Sequence, residues 1–218
     1  MNGHKLHPCD FIKYLGVYLD STLSGKYHCQ TLQPKLNRAC GMLSKTRYYV
    51  PEKELIYLYY AIFSSHMNYG CQIWGQNMHP QFAKIITLQK RAMRIIKFAD
   101  SEAHSDPIFK EMNVLRIQDL IKLQNCLFVH DFLNKKLPVC FDNYFETISD
   151  MHSKCTINST LGCLFIPHFN TTKHGLKSLT RKCIDNWNSF SNLFKKNLKD
   201  IPRFELKNII SDHFINSY

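Results

Sequence analysis

The chain has 218 residues, 44% of them hydrophobic, enough for one buried core or two small ones, and its longest apolar run, Tyr57 to Phe63, is far too short to span a bilayer. Lys plus Arg total 28 against 17 acidic residues, and the resulting net charge of +11 favours partners rich in phosphate. Eight scattered glycines build no phosphate-cradling loop, and nine cysteines, odd in number and without a Cys-x-x-Cys pair, argue against a disulfide framework.

The amino end, Met1 to Pro8, lacks the apolar stretch of a secretory signal, so an intracellular chain is expected. Phe11 to Asp20 reads as a short β unit. Ile12, Tyr14, Val17, Tyr18 and Leu19 suit a pleated surface, and Gly16 marks a bend or a close backbone approach. A helix follows from about Tyr27 to Tyr48, with Leu32, Leu36, Ala39, Cys40 and Leu43 at steps of three and four. Pro34 lies near its start, and Lys35, Arg38, Lys45 and Arg47 supply its basic side. A second helix is expected to begin at Pro51, with Glu52 and Glu54 at its positive end, and to stop by Gly70. Its core positions are Leu55, Leu58, Tyr59, Ile62 and Phe63.

The third helix, Pro80 to Phe98, is the strongest functional candidate. Taking Lys90 as zero, Arg94 lies at about 40°, Lys97 at about −20°, Arg91 at about 100° and Lys84 at about 120°. Ile85, Leu88, Ala92, Met93, Ile95 and Ile96 fill the opposite arc. Five long cations on one face repel each other unless they meet solvent or an anion, and a nucleic-acid backbone is the obvious anion.

A polar junction, Asp100 to His104, places a boundary after residue 100. Ser105-Asp106-Pro107 reads as a helix start. A longer helix runs from about Ile117 to Asn134, its apolar face formed by Leu120, Ile121, Leu123, Leu127, Phe128, Phe132 and Leu133, and Lys135 to Pro138 ends it. His130 reads as a buried or surface histidine rather than a catalytic one. From Val139 to Thr172 the periodicity is poor, predicting loops with one strand around Leu161 to Pro167. The tail returns to helices, Lys177 to Phe190 and Arg203 to Asn216, with a second basic cluster at Lys195, Lys196, Lys199, Arg203 and Lys207.

The expected fold is mainly α. A short N-terminal β-hairpin (1–24) leads into a helical bundle (25–100) and then a second helical region (101–218) whose segment 139–172 is irregular. Cys40, Cys126 and Cys183 fall on apolar helical positions, where a free thiol behaves as a small hydrophobe. The spacings of Cys155, Cys163, His168 and His174 are too loose for a zinc site, so no metal or cofactor is expected. Ser64, Ser65 and His66 are neighbours within one helix and do not face each other as nucleophile and base.

Several words of this sequence resemble the region after the catalytic palm in reverse transcriptases of non-LTR retrotransposons (LINE elements) of the jockey-like and chicken-repeat-like clades. They are Lys13-Tyr14-Leu15-Gly16-Val17 with Leu19-Asp20-x-x-Leu23-Ser24, then the helix words from Leu32 to Arg47, Val50-Pro51, Tyr59 to His66, Asn68-Tyr69-Gly70 and Trp74-Gly75. Leu88 to Ile96, His104-Ser105-Asp106-Pro107, Gly175-Leu176-Lys177-Ser178 and Trp187-Asn188 continue the series in order. The resemblance implies a primer-grip hairpin followed by a thumb, in a parent that is an RNA-directed DNA polymerase.

In that family the palm holds two metal ions on an acidic pair, whereas no Asp-Asp occurs in this chain. The resemblance therefore implies a non-catalytic fragment, any magnesium being bound by an upstream palm. It implies primer-template partners, RNA–DNA or DNA, contacted through Lys84, Lys90, Arg91, Arg94 and Lys97, with Lys13 and Tyr14 near the primer terminus. The resemblance implies neither a membrane nor a small-molecule substrate, and it implies an intracellular, nuclear site of action. The competing readings are a helical interaction scaffold, an inactive decayed copy, and a polymerase split from a palm on a partner chain. Two departures from the family pattern stand out. His152-Ser153-Lys154-Cys155-Thr156-Ile157 lacks the usual Arg, and Gly25 replaces a Trp, which reads as the loss of a large packing group.

Overall fold

The structure is a computed structural model that describes residues 9–76, 79–151, 157–167, 176 and 178–218. It divides into two compact units, residues 1–108 and 109–218. The first opens with a β-hairpin, β1 (Phe11–Tyr14) paired antiparallel to β2 (Val17–Asp20) in the register Phe11 to Asp20 and Tyr14 to Val17. Both turn residues, Leu15 and Gly16, have positive φ (44° and 84°), the primed turn whose twist matches a two-residue hairpin.

Helices α1 (Lys26–Thr46), α2 (Glu52–Tyr59) and α5 (Pro80–Ile96) form an up-down-up bundle. The expected second helix does run to Asn68, but not as one regular helix. After α2 a π-helical turn (Tyr60–Ser64) leads into α3 (Ser65–Asn68), Gly70 takes φ 60°, and α4 (Cys71–Trp74) follows. The direction of the bundle is legible in its polar contacts. Gln33 Nε2 donates to Gln81 Oε1 (3.0 Å), Cys40 Sγ to the Leu88 carbonyl (3.7 Å) and Arg47 Nη1 to the Ile95 carbonyl (3.4 Å). Both partners advance seven residues at each step, so α1 and α5 run parallel in a heptad-like register. Helix α2 runs the other way, with Lys97 paired to Glu52 and Gln89 donating to the Tyr59 hydroxyl (3.0 Å). Leu36, Ala39, Cys40, Leu43, Leu55, Phe63, Ile85, Ala92, Met93 and Ile96 are buried among these helices.

The words that carry the resemblance meet where the hairpin joins the bundle. The Tyr69 hydroxyl donates to the Leu15 carbonyl in the hairpin turn, and Trp74 Nε1 donates to the Tyr69 carbonyl (2.9 Å). A Cβ at Gly70 would sit 2.9 Å from Val17, and one at Gly25 only 2.2 Å from the Trp74 carbonyl oxygen, with Gly25 itself at φ 73°. Gly25 is therefore no lost packing site: the left-handed backbone and the close carbonyl exclude any side chain there. Asp20 caps the same junction, accepting from the Ser24 amide (2.8 Å) and from the Thr22 (2.7 Å) and Ser24 (3.1 Å) hydroxyls. Burial opposes its charge, but these hydrogen bonds outweigh burial and hold its carboxyl below the ordinary range. His28, packed on Trp74 at 5.1 Å between ring centres, is held neutral by burial and the nearby Lys35 charge, its pKa lowered to about 4.

Helix α6 (Ser105–Glu111) starts where the Ser-Asp-Pro word predicts it. In the second unit α10 (Leu179–Phe194) and α11 (Arg203–Asn216) pack on α7 (Ile117–Leu133) around Leu127, Cys183, Trp187, Leu206 and Ile210. The segment from Val139 holds short helical pieces, including α8 (Ile148–Met151) and α9 (Ile157–Thr160), and no strand forms at Leu161 to Pro167 among the described residues. Only an isolated bridge, Thr147 to Leu164, is present there. The reason lies on α10. Asn188 accepts from the Leu164 amide (2.7 Å) and donates to its carbonyl (2.9 Å), so one side chain satisfies the groups a strand partner would take. Trp187 Nε1 donates to the Gly162 carbonyl (3.0 Å), so the Trp187-Asn188 word is a clamp on this segment. His152 to Thr156, His168, His174, Gly175 and Lys177 lie outside the described residues.

Candidate nucleic-acid interface

Helix α5 begins with Pro80 at its first turn and His79 capping the Gln81 amide (3.2 Å). Gln81, Leu88 and Ile95 face α1, and Gln89 and Lys97 face α2. The five predicted cations therefore occupy different settings. Lys84 and Arg91 are exposed and Lys90 is half-buried. Arg94 is also half-buried and donates through Nε to the Ala103 carbonyl (2.8 Å). Lys97, its side chain 17% exposed, pairs with Glu52 at 2.8 Å. Arg94 and Lys97 thus fasten α5 to the following loop and to α2, while Lys84 and Arg91 extend outward. Lys13 lies 5.8 Å from the Tyr18 ring centre, and Tyr14 is exposed on β1 in the hairpin, away from the α5 stripe in sequence and element.

The parallel register joins residues that sequence periodicity leaves apart. Lys84 and Arg91 on α5 and Phe98 just past its end follow one another at heptad spacing, each three positions beyond an α1-facing residue. Pro34 and Gly41 on α1 and Tyr48 just past its end follow the three α5-facing residues by one position. The two stripes meet at their ends, where the Tyr48 and Phe98 rings lie 5.7 Å apart. One heptad earlier, the Arg91 charge acts on the Cys40 thiol, opposing part of the burial that lifts it to about 11. Between the stripes runs a shallow groove whose floor is Gly41, a helical glycine with nothing within 4 Å of a Cβ built on it. Exposed Lys35, Arg38 and Lys45 line the outer side of α1.

At the end of the groove, Arg47 lies 4.8 Å from the Tyr48 ring centre and 4.6 Å from that of Phe98, its Nη2 donating to the Tyr48 hydroxyl (2.7 Å). Sequence reading counted Arg47 as one more basic helix residue and missed this assembly. The Arg47-Tyr48-Tyr49 run just before Pro51 was the signal within reach; Phe98, 50 positions on, needs the fold.

The buried cysteines among the described residues are held as neutral thiols. Burial lifts Cys29 to about 12 and Cys71 to about 11, and raises Cys126, Cys163 and Cys183. No cluster of three metal-ligating side chains occurs among the described residues, and no described helix is long and apolar enough to cross a membrane.

No protein-family model and no solved structure matches this chain. A curated Drosophila melanogaster protein, the probable RNA-directed DNA polymerase from transposon X-element, is 24% identical over 126 residues. The match covers 56% of this chain and 14% of that protein's length. Over part of its length, then, the chain is similar to a protein related to reverse transcriptases.

Proposed function

We propose that the first unit binds the phosphate backbone of a primer-template duplex, RNA–DNA or DNA, in the groove between α1 and α5, as a part of a LINE-type polymerase that lies outside its catalytic palm. The chain contributes no metal site of its own to this reading; the chemistry would belong to an upstream palm. The observation that carries it is the parallel register, which sets exposed Lys84 and Arg91 beside an open Gly41 floor, with Arg38 and Lys45 on the far side. Successive cations on the α5 stripe are seven residues, or about 10.5 Å, apart, close to three steps of a duplex strand at about 3.4 Å each. The distant similarity to a transposon polymerase supports the choice of partner.

The test is a salt titration of the full chain on an RNA–DNA hybrid. Gly41→Glu places a carboxylate on the groove floor where nothing stands within 4 Å, so it leaves the packing intact. Together with Lys84→Glu and Arg91→Glu it is expected to weaken binding at least tenfold. Neutralising Lys84 and Arg91 should flatten the dependence of log K on log salt by about 1.8 for two lost phosphate contacts. Binding that ignores salt, or survives all three substitutions, refutes the reading.

A further inference from the structure

Phe98 carries a large aromatic ring in a conformation that favours glycine. Its φ is 53°, and the ring is 54% exposed just past the end of α5. Tyr48 (67% exposed) and Tyr49 (85% exposed) lie just past the end of the parallel helix α1. Because the helices are parallel, both ends fall at the same end of the bundle, and the exposed Tyr48 and Phe98 rings meet one guanidinium. Left-handed Phe98 closes α5 as Asn113 and Lys135 close α6 and α7, the Ala99 amide donating to the Arg94 carbonyl (3.0 Å), and it leaves 54% of its surface open to a partner.

Arg47 is positioned from several directions at once. It donates to the Ile95 carbonyl at 3.4 Å and to the Tyr48 hydroxyl at 2.7 Å, and it lies within cation–π distance of both rings. The Ile95 contact links the ends of α1 and α5, and the guanidinium orients the two rings edge to face at 79°. A charged guanidinium at the centre repels a cationic ligand. The site therefore suits a flat, uncharged aromatic group attached to an anionic chain arriving along the cation-lined groove. That is the chemistry of an unpaired nucleobase.

We infer that the Arg47–Tyr48–Phe98 assembly is a stacking platform for an unpaired base where the duplex in the groove ends in a single-stranded overhang. This rests on the groove binding proposed above and goes further, by assigning the open end of the groove to single-stranded nucleic acid. One stacked base adds enough affinity for about a tenfold preference.

The test compares, by fluorescence anisotropy with the full chain, a blunt RNA–DNA hybrid and the same hybrid carrying a three-nucleotide overhang. Wild type is expected to bind the overhang form about tenfold more tightly. Phe98→Gly should remove this preference while leaving blunt-duplex affinity unchanged, and glycine relieves the left-handed backbone, so folding is preserved and the melting temperature holds or rises. Tyr48→Leu should act in the same direction. Tyr48→Trp adds a direct readout, because a base stacking on the indole quenches its emission. Equal affinity of wild type for both hybrids, or a preference that survives both Phe98→Gly and Tyr48→Leu, overturns the inference. The two proposals fail separately: if Lys84→Glu with Arg91→Glu leaves blunt-duplex binding untouched, groove binding falls, while an overhang preference lost in Phe98→Gly still upholds the platform. No binding of either hybrid removes both.

Discussion

Gly25→Ala tests whether the junction between hairpin and bundle is built as described. The new Cβ would lie 2.2 Å from the Trp74 carbonyl oxygen and 3.1 Å from its carbonyl carbon, atoms of the main chain that cannot rotate away. An ordinary contact needs about 3.4 Å, so α4 or the start of α1 must move by about 1 Å, and overpacking of that kind costs about 1–3 kcal/mol. The φ of 73° adds about 1–2 kcal/mol for any residue with a Cβ. Together the loss is about 2–5 kcal/mol, which lowers a urea midpoint by about 1–2.5 M at an m value of about 2 kcal/mol/M. Gly41→Ala is the internal control. It sits in the interior of the same helix with nothing within 4 Å, so it should stabilise by about 0.5–1 kcal/mol. Unfolding followed by tryptophan emission suits the pair, since Trp74 touches the perturbed site. If Gly25→Ala stays within about 0.5 kcal/mol of wild type, the close carbonyl and the left-handed junction are both refuted.

Three further outcomes are expected. His28 has a pKa of about 4 in the folded chain against 6.5 when exposed, so the unfolded chain takes up the proton first. Its contribution is intact above about pH 6.5 and is lost as pH falls, reaching about 3 kcal/mol by pH 4; His28→Gln should flatten the stability–pH curve in that window, and an unchanged slope would count against buried, neutral His28. Tyr59→Phe leaves the buried Gln89 amide without its 3.0 Å acceptor and should cost about 1–3 kcal/mol in thermal unfolding, part of it recovered by adding Gln89→Leu. Asn188→Ala removes both hydrogen bonds to Leu164 and should cost about 1–3 kcal/mol, with faster amide exchange at Leu164; protection equal to wild type would refute the clamp.

The elements with strong local signals were readable without the fold. Apolar spacing in α1 and α5 set their extents to within a few residues, because one buried stripe on each helix leaves a period of about 3.6 in the sequence. Phe11 to Asp20 showed its hairpin through β-branched and aromatic residues around Gly16. The expected strand near Leu161 failed because one remote side chain, Asn188, takes the backbone groups that a strand would pair.

The candidate interface was only half legible. A helical wheel reports which residues share a face, and it placed five cations together on α5. It cannot report that Glu52 on an antiparallel helix takes Lys97, or that the Ala103 carbonyl takes Arg94. Gly25 was misread for the same reason. Its fitness depends on a carbonyl 49 residues away, and sequence spacing carries no information about that approach. By itself the sequence determined the helices, the hairpin, the basic balance and a partial likeness to a transposon RNA-directed DNA polymerase, since all of these depend on local pattern. Tertiary structure alone decided that α1 and α5 run parallel. That relation between distant segments sets Lys84 and Arg91 along an open Gly41 floor and brings Tyr48 to Phe98 at its end.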